Sequence, residues 1–184
     1  MLKRSQLSWL LAIAGALLLV KGSFAVYPFL FSTSQAAEVS VTPSALGGAR
    51  RFEPGTPLFR LFLLRQRADF LVVEGTTNAA LRKGPGHLEG SPFPGENGNA
   101  VIAGHRDTHF RVLKDVLIGD AIRVEVGDQD YTYRIVDIRV VKPTDTRVLL
   151  TQPGRTLTLI TCYPFRFLGS APDRYIVQAK LFDN

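Results

Sequence analysis

The single cysteine of the sequence, Cys162, is the first candidate for chemistry. It follows the apolar run 158–161, so we predict that it lies where a strand passes into a loop, a position at which proteins often present reactive groups. The alternative is a structural role, because free cysteine is among the most often buried residue types. One cysteine excludes both a disulfide within this sequence and a zinc cluster built from cysteines.

A nucleophilic thiol needs a base nearby, since an unperturbed thiol with a pKa of about 8.5 is mostly protonated at neutral pH. The sequence offers three histidines, His87, His105 and His109. We predict that His105 serves Cys162, because it ends a predicted strand and the neighbouring Gly104 lets another segment approach closely. The sequence assigns no role to His87 or His109.

His105 and His109 are also spaced as a metal-binding pair at positions i and i+4. The zinc-protease helix has glutamate directly after the first histidine, whereas this sequence has Arg106 there. The predicted strand-to-loop setting also lacks the helical face that would align the two side chains. We therefore expect no metal at this pair.

Acyl transfer also needs hydrogen-bond donors or positive charge directed at the developing oxyanion. Arg174 opens a predicted strand that pairs beside the one carrying Cys162, and a planar guanidinium can donate two hydrogen bonds to one carbonyl site. Alone, Arg174 would more often be a solvated residue at a strand edge. Its occurrence together with Cys162 and His105 favours a catalytic role.

The elements that must position these side chains are mostly strands. Short apolar runs separated by turn residues predict strands at 58–65, 69–74, 100–103, 121–126, 131–141, 156–161 and 175–182.

Few helices accompany these strands. We predict one helical turn within 77–83, a Gly/Pro-rich loop over 84–98, and a short helix over 110–117 capped by Thr108. Seven or eight short strands predict a mainly β fold, a closed or nearly closed β-barrel, and disfavour a parallel α/β sheet.

The N-terminal residues are far more apolar than the rest. An uncharged run at 7–20 follows Lys3 and Arg4, and with a second apolar stretch at 24–31 it is long enough for the roughly 30 Å of a bilayer core. We predict a retained signal-anchor with a cytoplasmic N-terminus. The alternative is a cleaved signal peptide, because residues 34–36 form a small-x-small site.

The sequence is predicted to divide into three regions. Residues 1–32 are the predicted membrane anchor, 33–55 a flexible stalk and 56–184 the catalytic domain. The domain is expected to face outward from the membrane, in the periplasm or outside the cell.

The charge balance disfavours nucleic acid as a partner. Lys and Arg number 22 against 16 Asp and Glu, a net charge of +6. Three of the basic residues, Lys3, Arg4 and Lys21, lie within the first 32 residues, which contain no acid, so the remainder carries only +3. That remainder lacks the basic stripe that nucleic-acid binding requires.

Three features of the sequence occur together: the run AGHRDT around His105, the run TLITC ending at Cys162, and Arg174 twelve residues later. Together they resemble the sortases, which are membrane-anchored cysteine transpeptidases with the signature Thr-Leu-x-Thr-Cys. The segments GPGH at 84–87, PGENGN at 94–99 and CYPF at 162–165 look most like the class D branch. The resemblance extends from about Leu58 to the C-terminus.

The resemblance implies a sortase-type closed eight-stranded β-barrel with one or two short helices, preceded by an N-terminal transmembrane helix. It also implies that Cys162 attacks the carbonyl group after threonine in a Leu-Pro-x-Thr-Gly-like sorting signal and forms a thioacyl-enzyme. His105 would protonate the leaving amine and then deprotonate the incoming one, while Arg174 would hold the substrate carbonyl and the oxyanion.

The implied partners are a secreted protein with a C-terminal sorting signal and an amine acceptor such as a peptidoglycan precursor or a pilin. No cofactor is expected, because exchanging one peptide bond for another needs no external energy source. The substrate is expected to lie against the loop 163–173 and the segment after Val141. The residues expected to bind it are Thr161, Tyr163, Pro164, Val148 and Leu149; Thr161 is also expected to support the site by packing.

Two other functions stay open. One is a thiol hydrolase or peptidase on the same scaffold, which would transfer the acyl group to water. The other is a membrane-tethered binding domain without catalysis, which the joint presence of His105, Cys162 and Arg174 disfavours. Transpeptidation and hydrolysis differ only in how the thioacyl-enzyme partitions between an amine and water, and the sequence does not determine that ratio.

Overall fold

The computed structural model describes residues 52–150 and 153–182. Their strands are β1 (Pro57–Leu63), β2 (Ala68–Glu74), β3 (Gly86–His87), β4 (Gly98–Ala103), β5 (Ala121–Val126), β6 (Gln129–Val141), β7 (Arg155–Tyr163) and β8 (Asp173–Leu181). The helices among these residues are short: α1 (Asn78–Leu81), a first 3-10 helix (His109–Asp115) and a second 3-10 helix (Thr146–Leu149).

The predicted membrane anchor lies outside the described residues, as does the predicted stalk up to residue 51. Within the described part of the chain, no helix has the length and apolar character needed to cross a membrane.

The strands close into a barrel in the order β1-β2-β3-β4-β7-β8-β6-β5, and β5 pairs back onto β1. The predicted mainly β fold and closed eight-stranded barrel are therefore confirmed. Neighbouring strands are antiparallel, except for the parallel pairs β2/β3 and β4/β7. The β4/β7 pair brings the C-terminal ends of two strands to the same end of the barrel.

Alternation of side chains along each strand fills the barrel interior. In β1, for example, Phe59, Leu61 and Leu63 are buried whereas Arg60 is exposed. Phe110 and Leu113 of the first 3-10 helix complete the same core. The strands predicted at 58–65 and 69–74 are confirmed as β1 and β2, which pair antiparallel as a hairpin.

The predicted helical turn at 77–83 is confirmed by α1, which begins after Thr77. The hydroxyl oxygen of Thr77 accepts a hydrogen bond from the Ala80 N–H group over 3.3 Å. The helix predicted over 110–117 is instead a 3-10 helix, and the prediction that Thr108 caps it is wrong, since the Thr108 side chain makes no capping hydrogen bond. Burial of apolar side chains in the core, rather than a cap, stabilises this segment.

The segment 84–98, predicted as a loop, contains the two-residue strand β3. A strand of this length shows no periodicity in the sequence. It exists because backbones approach closely there: a Cβ atom on Gly86 would lie 2.1 Å from the carbonyl oxygen of Gly75. Only glycine allows β3 to pair in this position.

Candidate active site

Cys162 lies within β7 rather than after it, and the register of the sheet brings it to Arg174. In the antiparallel pairing of β7 with β8, Cys162 stands directly opposite Arg174. Directly opposed residues point to the same face of a sheet, with Cβ atoms about 5 Å apart. The prediction that the strand of Arg174 pairs beside the strand of Cys162 is confirmed.

His105 reaches the same place through the parallel pair β4/β7. Ala103 of β4 stands beside Ile160, and the next N–H group, that of Gly104, donates to the Ile160 carbonyl over 3.0 Å. Continuing this register by two residues from Ala103 brings His105 beside Cys162. The two registers therefore lead His105, Cys162 and Arg174 to the same end of the barrel.

Cys162 and Arg174 lie on the outward face of the sheet. Leu157 and Leu159 point into the core, so Thr158, Ile160 and Cys162 point away from it. By the same registers, the residues on this face beside and before the cysteine are Val101, Ala103, Ile176 and Gln178. Val101, Ile176 and Gln178 are buried, whereas Ala103 and Ile160 are half-buried. We call Ala103 and Ile160, the accessible part of this face before Cys162, the groove floor.

The Cys162 thiol is free and half-buried, so it is accessible to a reactant. The Arg174 guanidinium is also half-buried. Its Nη1 atom donates to the carbonyl oxygen of Asp173 over 3.0 Å and to that of Ala171 over 3.4 Å. Both bonds use Nη1, so neighbouring backbone carbonyls orient the guanidinium. Its Nε and Nη2 atoms are not used by these two bonds.

His109 lies within electrostatic reach of His105. Burial lowers the pKa of His109 below its usual value, and the positive charge of protonated His105 lowers it further. The His109 ring also packs edge-on against Phe70, with 6.3 Å between ring centroids. His109 is therefore favoured as a neutral side chain beside His105.

His87 is separate from this constellation, because it is 1% exposed and lies in the barrel wall. Its Nδ1 atom is 3.1 Å from a carboxylate oxygen of Glu74, and its Nε2 atom is 3.0 Å from the Ser91 hydroxyl oxygen. The ring also packs against Phe59 and Phe93. These contacts give His87 a structural role.

The predicted substrate-binding residues occupy three positions around the site. Tyr163 and Pro164 follow Cys162 and are half-buried, and Tyr163 stacks on Tyr175. Val148 and Leu149 belong to the second 3-10 helix, in which Val148 is buried and Leu149 is half-buried. Thr161 is 2% exposed, so it lies beneath the site.

The sequence analysis missed Asn99, which holds the second 3-10 helix to the barrel. The Asn99 amide nitrogen donates to the carbonyl oxygen atoms of Val148 and Leu150 over 3.0 and 3.3 Å, and its amide oxygen accepts from the Thr158 hydroxyl over 2.6 Å. An asparagine within an apolar strand is a signal that could have been used, because buried polar groups require partners.

A second residue that sequence reasoning passed over is Arg106. Its guanidinium donates to three carbonyl groups, those of Pro164, Phe167 and Gly169, over 3.2, 2.9 and 3.2 Å. In the sequence, Arg106 is distinctive only because it stands where the zinc-protease pattern has glutamate. Nothing local in the sequence signals these contacts, since they join positions about sixty residues apart.

Comparisons with known proteins agree with this geometry. A protein-family model described as "Sortase domain" matches residues 65–182. The chain is 42% identical over 114 residues to sortase D of Bacillus subtilis, a match that covers 61% of this chain and 58% of that protein. The chain therefore spans less than two thirds of the length of this curated relative.

Solved structures give the same result. The Clostridium perfringens sortase D5 transpeptidase superposes with a TM-score of 0.65 at 33% identity, covering 72% of this chain and 83% of that one. Sortase A of Corynebacterium diphtheriae superposes with a TM-score of 0.65 at 33% identity, covering 70% and 61%. The resemblance seen in the sequence, including that to class D, is confirmed by these relatives. With its closed barrel and a family match over most of its length, the chain belongs to the sortase family.

Proposed function

We propose that this protein is a cysteine transpeptidase that cleaves a Leu-Pro-x-Thr-Gly-like sorting signal and transfers the resulting acyl group to an amine. The observation that carries the proposal is the register of β4, β7 and β8, which brings His105, Cys162 and Arg174 to one end of the barrel. Support also comes from the Clostridium perfringens relative, which is described as a transpeptidase.

The first half of the reaction forms a thioacyl-enzyme. The Cys162 thiolate attacks the carbonyl carbon of the threonine residue in the signal, and negative charge develops on the carbonyl oxygen. Arg174 stands directly opposite Cys162, so its guanidinium donates hydrogen bonds to that oxygen. The carbon–nitrogen bond then breaks, and protonated His105 gives its proton to the leaving amine.

The second half reverses these roles. The incoming amine gives a proton to neutral His105 as its nitrogen attacks the thioester carbonyl carbon. A new amide bond forms and the Cys162 sulfur leaves as a thiolate. One peptide bond breaks and one forms, so the cycle consumes no cofactor.

The groove floor suits the apolar part of the signal. Ala103 and Ile160 are apolar and partly accessible there, and the buried Val101 and Ile176 support them on the same face. We propose that the leucine and proline of the signal lie along this surface, between the second 3-10 helix on one side and Tyr163–Pro164 on the other. Apolar burial of this kind positions the scissile carbonyl at Cys162.

The cellular part of the proposal follows from the N-terminal sequence. Residues 1–32 would anchor the protein in the membrane with the catalytic domain outside the cytoplasm. The substrates would then be a secreted protein carrying the signal and an amine acceptor in the cell envelope, such as a peptidoglycan precursor or a pilin lysine.

The test uses purified full-length protein and a library of Leu-Pro-x-Thr-Gly-like peptides, with and without added amines, and detects products by mass spectrometry. We expect a mass adduct on Cys162 and a ligation product that depends on the amine. The Cys162→Ala variant, which removes one half-buried sulfur atom, is expected to fold and to form neither species.

Two results would contradict the proposal. If no peptide of the library forms an adduct on Cys162, the proposed thioacyl-enzyme is contradicted. Cleavage at a rate and with products that ignore the amine would leave a thiol hydrolase in place of a transpeptidase.

A further inference from the structure

Arg106 connects the segment after β4 to the loop that follows the cysteine strand. This loop, residues 164–172, joins β7 to β8 and is called the β7–β8 loop here. The Nη1 atom of Arg106 donates to the Pro164 carbonyl, and its Nη2 atom donates to the carbonyls of Phe167 and Gly169. The guanidinium carbon also lies 5.9 Å from the centre of the Phe167 ring.

Apolar packing holds only the start of the β7–β8 loop, where Phe165 packs against the core and against the Tyr175 ring. Residues 166–170 are all exposed, and Leu168 is 98% exposed. Segments with few buried contacts open with little free energy. Hydrogen bonds from a charged donor to the Phe167 and Gly169 carbonyls therefore help to order this exposed part, since bonds to charged groups are stronger than neutral ones.

The position of Arg106 links this order to the active site. Arg106 directly follows His105, and the first carbonyl it binds belongs to Pro164, two residues after Cys162. One side chain thus spans the segments that carry the proposed base and the proposed nucleophile. A lysine at this position would present a single ammonium group in place of the planar fork that reaches three oxygens.

We propose that Arg106 is a positioning residue that holds the β7–β8 loop as one wall of the substrate groove, a role that rests on the proposed function. His105 and Cys162 are placed by strand pairing, so loss of Arg106 leaves their alignment intact. The loop wall becomes mobile instead, and the substrate loses contacts that it makes both before and during the reaction. Such a loss raises KM more than it lowers kcat.

Opening of the β7–β8 loop can be measured with trypsin, which cleaves after arginine, because Arg166 of this loop is exposed. Cleavage between Arg166 and Phe167 in the folded, full-length protein reports opening of the β7–β8 loop. We compare the unsubstituted protein with Arg106→Gln, Arg106→Lys and the matched control Arg111→Gln. Arg111 is exposed on the first 3-10 helix, so its replacement makes the same change in charge a few residues away.

We expect Arg106→Gln to accelerate cleavage after Arg166 by about tenfold and Arg106→Lys by at least about threefold, with Arg111→Gln unchanged. In the peptide assay, KM of Arg106→Gln rises by about tenfold while kcat changes by less than about threefold. The rate of Cys162 alkylation by iodoacetamide stays within about twofold in all variants, because the thiol and His105 keep their places.

Equal cleavage rates in Arg106→Gln and Arg111→Gln would overturn the proposal. So would a cleavage rate in Arg106→Lys equal to that of the unsubstituted protein, or an effect of Arg106→Gln on kcat without an effect on KM. Failure of the proposed function looks different. The unsubstituted protein would then turn over no peptide, whereas the cleavage rates would still separate Arg106→Gln from its control.

Discussion

The Thr161 hydroxyl donates a hydrogen bond to the Gly104 carbonyl oxygen over 2.7 Å, directly beneath the pair formed by Cys162 and His105. Each of these two residues immediately precedes one member of that pair in the chain. Both are buried, so water does not compete for the bond. The bond therefore fixes the separation of the two strand ends from which the proposed nucleophile and base project.

Replacing Thr161 by valine tests this bond, because valine has the same shape without the hydroxyl group. We expect Thr161→Val to fold, to lose about 1 kcal/mol of unfolding free energy and to lose about tenfold in kcat/KM. The Thr161→Ser variant, which keeps the hydroxyl, should retain most of the activity. Urea unfolding and the peptide assay measure the two effects, and equal activity of the valine and serine variants would argue against the bond as an alignment device.

Arg174→Lys keeps the positive charge opposite Cys162 but removes the planar fork. We expect kcat/KM to fall by at least about a hundredfold, the range seen when an oxyanion donor is removed. The Lys180→Arg substitution, at an exposed position of the same strand, is the control and should have little effect. An unchanged kcat/KM in Arg174→Lys would contradict the catalytic role and would favour the alternative, a solvated residue at a strand edge.

Asn99→Ala removes the hydrogen bonds that hold the second 3-10 helix against β4. The carbonyls of Val148 and Leu150 lose their donor, so we expect the helix to loosen and KM to rise by several-fold, with a loss of about 1–3 kcal/mol in stability. Asn97→Ala, an exposed asparagine two residues earlier, is the matched control. Hydrogen exchange of residues 146–150 separates local loosening from global unfolding, and unchanged exchange there would contradict the assignment.

The proximity of His105 and His109 can be tested by titration. The pKa of His109 is lowered first by burial and second by the charge of His105. Replacing His105 by asparagine removes only the second cause, so we expect the pKa of His109 to move upward toward its usual value. Proton NMR of the histidine rings across a pH series measures this shift, and a His109 pKa that ignores the substitution would place the two rings too far apart to interact.

Tyr133 makes the barrel sensitive to alkali. Burial raises the pKa of its phenol from 10.0 to about 12, although a hydrogen bond from the Gly95 N–H group to the phenol oxygen, over 2.7 Å, opposes the shift. The unfolded chain releases this proton at a lower pH than the folded one, so the stabilising contribution is complete below pH 10 and is lost as the pH rises toward 12.

We therefore expect the unfolding free energy to fall over that interval by up to about 2–3 kcal/mol from this residue. The Tyr133→Phe variant has lower stability at pH 8 but lacks this part of the alkaline decline. Urea unfolding at several pH values compares the two proteins, and parallel declines would show that other groups cause the loss.

Several parts of this structure were predictable because local patterns determine them. The strands β1 and β2 follow from apolar runs, α1 lies within the predicted helical turn, and Arg174 lies at a strand start as expected. The strand before Cys162 was predicted to end at residue 161, whereas β7 continues through Tyr163. The apolar run stops before the cysteine, whereas the pairing with β8 continues to Asp173.

The remaining parts depend on contacts between segments far apart in sequence. The parallel pairing of β4 with β7 has no local signature, and neither does the reach of Arg106 to the β7–β8 loop. Asn99 differs, because a polar residue in an apolar strand indicates that a partner exists without indicating which one. Local patterns thus predicted which elements carry the reactive side chains. Long-range strand pairing determined how those elements are brought together.

The parallel β4/β7 pair also has a kinetic consequence. Its two strands are separated by the whole of the first 3-10 helix, β5, β6 and the second 3-10 helix, so closing that pair costs considerable chain entropy. Non-local parallel pairings of this kind form late in folding. We therefore expect that, in a chain that has not finished folding, the Cys162 thiol lacks a neighbouring imidazole. Covalent attack on other proteins would then begin only after β4 and β7 have paired.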